Sequence, residues 1–387
     1  MKFSDVVGKQ QIKNQLVNSV AEGRISHAQL FSGKEGGIGL PLALAYACFI
    51  QCENPSESDS CGSCSSCIKH AKLIHPDLHF SYPVIKLPEH KDRSPRSMDF
   101  IKQWRDAVTG NPYMDLTYWY ETLGVENKQG FMSVEESADI IRKLSLKSFE
   151  SKFKILIIWL PEKMRPDASN KLLKIIEEPP DNTLFLLVTE HREQLLPTIL
   201  SRTQLVKVPA LSVQEVADDI RKHFDKDALS ARKIASLADG NMNLAMEIAG
   251  EKEQDFKIEN DFISWMRLCY NPFHEREGKY AWSDLNTWID LMAKEGREYL
   301  KLFFTFSIDA SRECLLVNHA DPILVKFDDD VIPNFSKFTR FIHAGNIEEI
   351  SDFLNKAHYA VERNANPKIL LLDLSFKMNR LLNLPRQ

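Results

Sequence analysis

The cysteines are the residues of this sequence whose types and spacing most directly predict chemistry. Of the seven cysteines, five fall between Cys48 and Cys67, and four of these follow the pattern C-x8-C-x2-C-x2-C. The short C-x2-C steps let neighbouring thiolates converge on one ion, and four thiolates with no open position are typical of structural Zn²⁺. An iron–sulfur cluster on the same ligands and unligated thiols remain as alternatives. The predicted ligands are Cys52, Cys61, Cys64 and Cys67.

The remaining cysteines, Cys48, Cys269 and Cys314, are expected to be buried core thiols. An odd and uneven set of cysteines favours a reducing compartment over disulfide bonds. The first residues, MKFSDVVGKQ, contain no apolar signal core, and no stretch approaches the ~20 apolar residues of a membrane span. These features predict a cytoplasmic protein without a membrane partner.

A glycine-rich loop at residues 33–39 is the second chemical feature. An ATP-binding phosphate loop needs glycines for close backbone approach, a lysine for the β- and γ-phosphates, and a Ser or Thr hydroxyl for Mg²⁺. Here Leu40 and Pro41 follow the last glycine, and Lys34 precedes the turn. Leucine cannot neutralise a phosphate, and proline removes an N–H donor at the helix start. The sequence therefore predicts a degenerate phosphate loop that does not bind ATP. Its residues are Gly33, Gly36, Gly39 and Leu40.

Apolar runs predict the scaffold that positions these residues. Residues 28–31 are expected to form a short strand, and residues 155–159 and 184–188 are uninterrupted apolar runs, as in strands buried on both faces of a parallel sheet. Between the two runs, apolar residues recur at helical spacing until Pro179-Pro180 stops the helix. Strand, helix and strand predict a βαβ crossover and a three-layer α/β domain over residues 1–210.

The chain beyond Ser212 reads as helical. Periodic apolar residues predict three helices in a small domain at 211–251, with a turn at Asp239-Gly240-Asn241. Residues 252–387 stay helical and predict an all-α third domain. Residues 84–131 contain Pro88 and several aromatics and look like an insertion into the α/β domain. These aromatics are expected to pack against their own domain rather than form a partner-binding surface.

The net charge limits the kinds of partner. The chain of 387 residues has 49 Lys and Arg against 54 Asp and Glu, which gives a formal charge of −5. A protein that binds nucleic acid non-specifically over its whole surface needs a cationic excess. Any contact with DNA is therefore expected to be local or shared with partner subunits.

Several motifs together resemble the clamp-loader subunits of bacterial DNA polymerase III, within the AAA+ ATPases. Coverage runs from residue 3 to about residue 210. The order and spacing of the motifs carry the resemblance, since each alone is weak. The matching motifs are Val7-Gly8-Lys9-Gln10, residues 24–31, the cysteine cluster, His75-Pro76-Asp77, residues 168–174, Glu177-Glu178-Pro179-Pro180 and residues 196–202.

Departures from the family's pattern imply that ATP hydrolysis is lost. Where the family places Lys and Thr, this chain has Leu40 and Pro41. The family's Mg²⁺-binding and water-activating acids are replaced by Trp159 and Leu160, and Asn243 stands where active subunits have a phosphate-sensing Arg.

The resemblance also implies an arginine finger at Arg202. In the family, a Ser-Arg motif projects this guanidinium into the ATP site of the adjacent subunit, and here the motif is Ser201-Arg202. A guanidinium there stabilises charge that develops on the γ-phosphate. The alternative is that Arg202 pairs only with a carboxylate of its own domain.

The resemblance implies an ATPase-silent subunit of a hetero-oligomeric ring. Its C-terminal helices would form the collar, and the complex would load a sliding clamp onto primed DNA. One alternative is an ATP-hydrolysing motor subunit of the same loader. The other is a zinc-ribbon nucleic-acid-binding protein, which is disfavoured because no basic stripe accompanies the cysteines.

Overall fold

The computed structural model of the protein describes residues 1–87, 93–125, 129–250, 257–270, 275–276, 279–319, 325, 327–329, 331–332 and 334–384. The chain divides into two compact units, Met1–Gly250 and Glu251–Gln387. The predicted boundary after residue 210 falls inside the first unit and stays a prediction. The predicted boundary at residues 251 and 252 lies outside the described residues.

Five strands form one parallel sheet in the first unit, in the order β2-β3-β4-β1-β5. In β3 and β4 every residue is buried, which explains why their apolar runs are continuous rather than alternating. Their register runs from Lys154 opposite Thr183 to Trp159 opposite Val188. The strands are β1 (Ala28–Ser32), β2 (Leu78–Ser81), β3 (Lys154–Trp159), β4 (Thr183–Thr189) and β5 (Gln204–Lys207).

Helices cover both faces of this sheet. Ile155 and Ile157 belong to one cluster of buried apolar side chains, and the alternate residues Leu156 and Ile158 belong to another. The predicted fold class, an α/β domain with a parallel sheet followed by helices, is confirmed. The helices of this unit are α1 (Gln10–Ala21), α2 (Gly39–Ile50), α3 (Ser65–Ala71), α4 (Ile101–Gly110), α5 (Leu116–Thr122), α6 (Val134–Ser145), α7 (Pro166–Glu177), α8 (Pro197–Leu200), α9 (Val213–His223), α10 (Ala228–Ala238) and α11 (Met242–Gly250).

Side-chain caps set the starts of the helices after the sheet. The Ser212 hydroxyl accepts the N–H of Glu215 at 3.2 Å, and the Glu215 carboxylate accepts the N–H of Ser212 at 2.8 Å. This reciprocal pair is a capping box at the start of α9. Asp227 caps α10 by accepting the N–H of Leu229 at 2.8 Å. The predicted three helices and the turn at residues 239–241 are therefore present.

The same Glu215 carboxylate ties α9 to the N-terminal segment. It accepts the backbone N–H of Lys9 at 2.9 Å and forms an ion pair with the Lys9 ammonium at 2.9 Å. Gly8 has φ +59°, and a Cβ at this position would collide with the Glu215 side chain. Glycine at position 8 thus allows the carboxylate to approach the backbone.

The insertion at residues 84–131 packs its aromatics inward, as expected. Trp104 and Trp119 are fully buried. Trp104 stacks on Tyr82 with ring centroids 3.9 Å apart, and Trp119 lies edge-on to Trp104 at 5.5 Å. The Trp119 indole N–H donates to the carbonyl of Pro83 at 2.8 Å. Pro88, which helped to define the insertion, lies outside the described residues.

The second unit is built mainly from helices. Its core includes Trp265, whose indole N–H donates to the Ser375 hydroxyl at 2.9 Å. Two two-residue strands, β6 (Glu275–Arg276) and β7 (Lys279–Tyr280), pair antiparallel within this helical unit. None of the helices in the described part of the chain is long and apolar enough to cross a membrane. The helices are α12 (Lys257–Tyr270), α13 (Ala281–Met292), α14 (Arg297–His319), α15 (Phe335–Phe338), α16 (Ile347–Glu362) and α17 (Pro367–Leu382).

Replacing Glu215 with Gln is expected to destabilise the first unit by about 2 kcal/mol at pH 7. Burial opposes ionisation of Glu215, but the N–H groups of Ser212 and Lys9 and the Lys9 ammonium lower its pKa to about 2. Because the folded-state pKa is depressed, this stabilisation is present above pH ~4.5 and is lost as pH falls through about 2. Urea unfolding of Glu215→Gln and the native chain should therefore differ less at pH 3 than at pH 7. An equal difference at both pH values would contradict this account.

Candidate functional site

The glycine loop lies between β1 and α2, where a phosphate loop would be. Gly36 adopts φ +62°, and the N–H of Gly33 donates to the carbonyl of Thr189 at 3.1 Å. Leu40 is 4% exposed and Pro41 is buried in the first turn of α2. The cavity at this loop measures about 10 Å³, room for about one water molecule, whereas small-molecule sites span ~300–1,000 Å³.

The end of β3 that faces the loop has an aromatic side chain where the family's acids are expected. Trp159 is buried at the end of β3 and lines the small cavity. Glu162, the nearest acid that follows, is held by the end of β4. Its carboxylate accepts the Thr189 hydroxyl at 2.8 Å and the Glu190 N–H at 3.0 Å. The Glu162 carboxylate is therefore hydrogen-bonded to the C-terminal end of β4 in this structure.

Glu190 was missed by the sequence analysis, although it follows a buried strand directly. It lines the small cavity beside the glycine loop. Burial raises the pKa of Glu190 well above its usual range, and the nearby carboxylates of Glu35, Glu162 and Asp115 raise it further, although the Gly36 N–H opposes the shift. The surroundings of Glu190 thus disfavour a negative charge, and a phosphate group placed beside it would bring further negative charge.

Lys34, the lysine of the glycine loop, contacts Asp239. The Lys34 ammonium donates to the carbonyl of Asp239 at 2.6 Å and also pairs with the Asp239 carboxylate. Asp239 follows α10, so Lys34 joins the glycine loop to the helices at 213–250. The Lys34 ammonium is therefore engaged by a protein partner in this structure.

The start of α11 closes directly onto the glycine loop. The carbonyl of Gly36 accepts the N–H of Met242 at 2.8 Å and the N–H of Asn243 at 3.2 Å. A Cβ on Gly36 would collide with the Asn241 side chain, so this approach requires glycine at position 36. Backbone donors at a helix start can bind an anion, but here a protein carbonyl takes two of them.

The insertion supplies the remaining contacts. Asn243, which stands at the expected position of the phosphate sensor, accepts the Asn111 amide at 2.5 Å and donates to the Asp115 carboxylate at 2.9 Å. Met114 is 2% exposed and lines the small cavity. The Tyr113 hydroxyl accepts the N–H of Val7 at 3.2 Å. Segment 111–115 therefore contacts the N-terminal segment, the cavity and α11.

The candidate finger lies between α8 and β5. Arg202 has a side chain that is 30% exposed, and its Nε donates to the Glu177 carboxylate at 2.8 Å. Its Nη1 donates to the carbonyl of Thr198 at 3.1 Å, and Ser201 is exposed beside it. In the isolated chain, Arg202 thus pairs with a carboxylate of its own domain, which was the alternative to the finger role. A partly exposed ion pair contributes ~0–1 kcal/mol and leaves the guanidinium able to change partners.

The four predicted cysteine ligands are brought together. The sulfur atoms of Cys52, Cys61, Cys64 and Cys67 all lie within 4.8 Å of one another. The Cys52 and Cys67 sulfurs are 3.6 Å apart, and those of Cys61 and Cys67 are 3.9 Å apart. A tetrahedral four-thiolate site with metal–sulfur bonds of about 2.3 Å has sulfurs about 3.8 Å apart. These residues therefore fit a single metal ion.

Backbone N–H groups donate to several of these sulfurs, although burial raises the pKa of Cys52 and of Cys67. The N–H of Cys61 donates to the Cys52 sulfur at 3.3 Å, and the N–H of Cys64 donates to the Cys61 sulfur at 3.3 Å. Hydrogen bonds from the N–H groups of Cys64 and Ser63 lower the pKa of Cys61 to about 6. Cys48 is buried as predicted, but its sulfur lies 3.8 Å from that of Cys67, a proximity that spacing alone did not indicate.

The cysteine loop also holds the N-terminal segment. Asp59, within the loop, accepts the N–H groups of Phe3 and Ser4, each at 2.9 Å. Phe3 is 2% exposed and packs on Phe49 of α2 at 5.7 Å. An ordered cysteine loop therefore fixes the start of the chain against the core.

Sequence comparison assigns the family. The sequence profile of the family described as DNA polymerase III, delta subunit, matches residues 8–212. The match covers more than half of the chain, which therefore belongs to this family. The predicted resemblance to clamp-loader subunits of the AAA+ type is confirmed.

Curated relatives agree with this family at low identity. The tau subunit of DNA polymerase III from Bacillus subtilis is 24% identical over an alignment that covers 95% of this chain and 60% of that protein. The delta' subunit from Bacillus subtilis is 25% identical, and the alignment covers 74% of this chain and 71% of that protein. The tau subunit from Escherichia coli is 24% identical, with coverage of 64% and 32%.

Solved structures are matched over much of the chain but with low scores. A gamma subunit-related protein from Thermotoga maritima has a TM-score of 0.37 at 14% identity, with coverage of 97% of this chain and 100% of that one. The clamp loader delta protein of Bacillus subtilis has a TM-score of 0.32 at 12% identity, with coverage of 96% and 99%.

The cysteine site predicts bound metal. The purified chain is expected to contain about one metal ion, and Cys61→Ser should reduce the metal content to below about a tenth because one of four ligands is lost. Ser58→Ala, an exposed change in the same loop, should retain the metal. Elemental analysis after gel filtration measures this content. Equal metal content in Cys61→Ser and the native chain would contradict the assignment.

Proposed function

We propose that this chain is an ATPase-silent subunit of a bacterial replicative clamp loader, most like the delta-prime subunit. It would act in a hetero-oligomeric ring with other loader subunits, and the ring would load the sliding clamp onto primed DNA. The second unit would serve as the collar that joins the subunits. Localisation in the cytoplasm remains a prediction from the sequence.

The closed glycine loop is the observation that carries the ATPase-silent role. The cavity of about 10 Å³ lacks the volume for a nucleotide. Leu40 and Trp159 provide neither the cation nor the metal-binding acids that phosphoryl transfer requires. Contacts from α11 and segment 111–115 close the same space. An ATP-hydrolysing motor subunit would need all of these features to differ.

Arg202 gives the silent subunit a role in catalysis on a neighbour. Its guanidinium is partly exposed at the end of α8, and its ion pair with Glu177 is weak enough to exchange for a stronger partner. A γ-phosphate offers such a partner because charge-assisted contacts of guanidinium with phosphate oxygens are strong and can be bidentate. In this proposal Ser201 orients the backbone that presents Arg202.

Zn²⁺ is the proposed ion at the four cysteines. Four thiolates in a closed tetrahedral set suit Zn²⁺, and the site would supply rigidity rather than catalysis. Its contribution here would be to stabilise the loop whose Asp59 holds Phe3 and Ser4. The loop would thereby keep the N-terminal segment in place beside α2.

Arg202→Ala tests the finger role. In a reconstituted loader with clamp and primed DNA, this change should slow ATP turnover by about tenfold or more, because γ-phosphate charge at the neighbouring site loses its guanidinium. Arg192→Ala, an exposed arginine in the preceding turn, serves as the matched control and should leave turnover unchanged. Gel filtration should show that both variants assemble. Native turnover in an assembled Arg202→Ala loader would overturn the finger assignment.

A further inference from the structure

Exposed apolar side chains concentrate at one place in the first unit. Among its described residues, seven large apolar side chains are exposed, and four of them come from two neighbouring segments. Phe149 is the most exposed of the seven, at 82%, and Leu146 is 65% exposed. We call these four side chains the Phe149 patch: Ile68, Ile74, Leu146 and Phe149.

The segments that carry the patch are bound to one another. Ile68 lies on α3 and Ile74 in the turn that follows, whereas Leu146 and Phe149 lie in the loop from α6 to β3. The Lys69 ammonium of α3 pairs with the Glu150 carboxylate of that loop. The His75 imidazole lies 3.2 Å from the same carboxylate. Since β2 and β3 are parallel neighbours, the segments that precede them meet at one edge of the sheet.

A buried carboxylate holds Phe149 in this exposed position. Asp77 is 2% exposed and accepts the N–H groups of Phe149 at 2.6 Å, Glu150 at 2.9 Å and Ser151 at 2.8 Å. Three backbone donors on one carboxylate fix the loop conformation. The exposure of Phe149 is therefore built into the loop, and a preordered loop backbone loses little entropy when a partner binds.

The charge around the patch is positive, in contrast to the chain as a whole. Lys72, Lys147 and Lys152 are exposed on the same segments, and Lys69 lies beside them. Glu150 is the acidic residue of the 146–152 loop, and it is engaged by Lys69. The whole chain has a formal charge of −5. A local cationic rim around apolar side chains favours an acidic partner.

We propose that the Phe149 patch is a docking surface for an acidic protein segment that carries an apolar anchor side chain. The apolar anchor would pack between Phe149 and the aliphatic side chains of Ile74 and Leu146. Its flanking carboxylates would face Lys72, Lys147 and Lys152. This proposal goes beyond the ATPase-silent role and does not depend on it.

The composition of the patch favours a protein partner over single-stranded nucleic acid. Nucleic acid binds such surfaces by stacking its bases on aromatic rings. Phe149 is aromatic, but Ile68, Ile74 and Leu146 are aliphatic and provide no stacking face. Aliphatic side chains beside one aromatic anchor are instead typical of a site for apolar protein side chains.

Fluorescence anisotropy with the full chain tests the proposal. The probe is a labelled peptide in which aspartates flank a Leu-Phe pair, and it is compared with the same peptide with lysines in place of aspartates and with a thymidine oligonucleotide. The acidic peptide should bind with a Kd on the order of 100 µM or tighter. Phe149→Ser and Lys147→Glu should each weaken this binding at least tenfold, whereas the lysine peptide should not bind.

Met98→Ser is the matched control, because Met98 is 51% exposed but lies outside the patch. This variant should bind the acidic peptide like the native chain. Absence of binding up to 1 mM (about −4 kcal/mol), or native affinity in Phe149→Ser, would overturn the proposal. Oligonucleotide binding that is lost in Phe149→Ser, without peptide binding, would show a nucleic-acid surface instead. Unchanged melting temperatures exclude unfolding as the cause of any loss.

Discussion

The hydrogen bonds from the N–H groups of Met242 and Asn243 to the carbonyl of Gly36 join the start of α11 to the glycine loop. The other features of the site depend on this closure. Lys34 can reach Asp239 only because α10 and α11 lie against the glycine loop. In the proposed ATPase-silent role, a nucleotide is excluded because it would have to separate these groups before its phosphates could reach the loop.

The preserved scaffold and the proposed loss of nucleotide chemistry have different physical causes. The parallel sheet, its buried strands and its two helical layers require only apolar pattern and turns, which this chain retains. Nucleotide binding requires a few charged side chains at fixed points, and at those points the chain has Leu40, Trp159 and Asn243. In the proposed role, a ring subunit that works through Arg202 would need the scaffold but not its own phosphate site. The cysteine loop is consistent with this division, because it stabilises the N-terminal segment without entering the glycine loop.

Local patterns in the sequence predicted the features that local interactions determine. The continuous runs that became β3 and β4, the C-x2-C steps of the cysteine cluster and the inward packing of Trp104 all follow from neighbouring residues. The contacts that close the glycine loop could not be predicted in this way. Asn111 and Asn243 are 132 positions apart, and no spacing rule pairs them. Glu190 could have been noticed as an acid at the end of a buried strand, but its position beside the loop depends on the register of β4.

The most direct test of the account is calorimetric titration of Mg²⁺–ATP into the native chain and into the double variant Leu40→Lys/Pro41→Thr. The double variant supplies a Lys and a Thr after the last glycine of the loop but leaves the closing contacts of Asn243 and segment 111–115 in place. The account predicts no heat of binding for either protein. Micromolar binding by the native chain would contradict the ATPase-silent assignment. Binding by the double variant alone would contradict the claim that closure of the loop, rather than the two missing side chains, excludes the nucleotide.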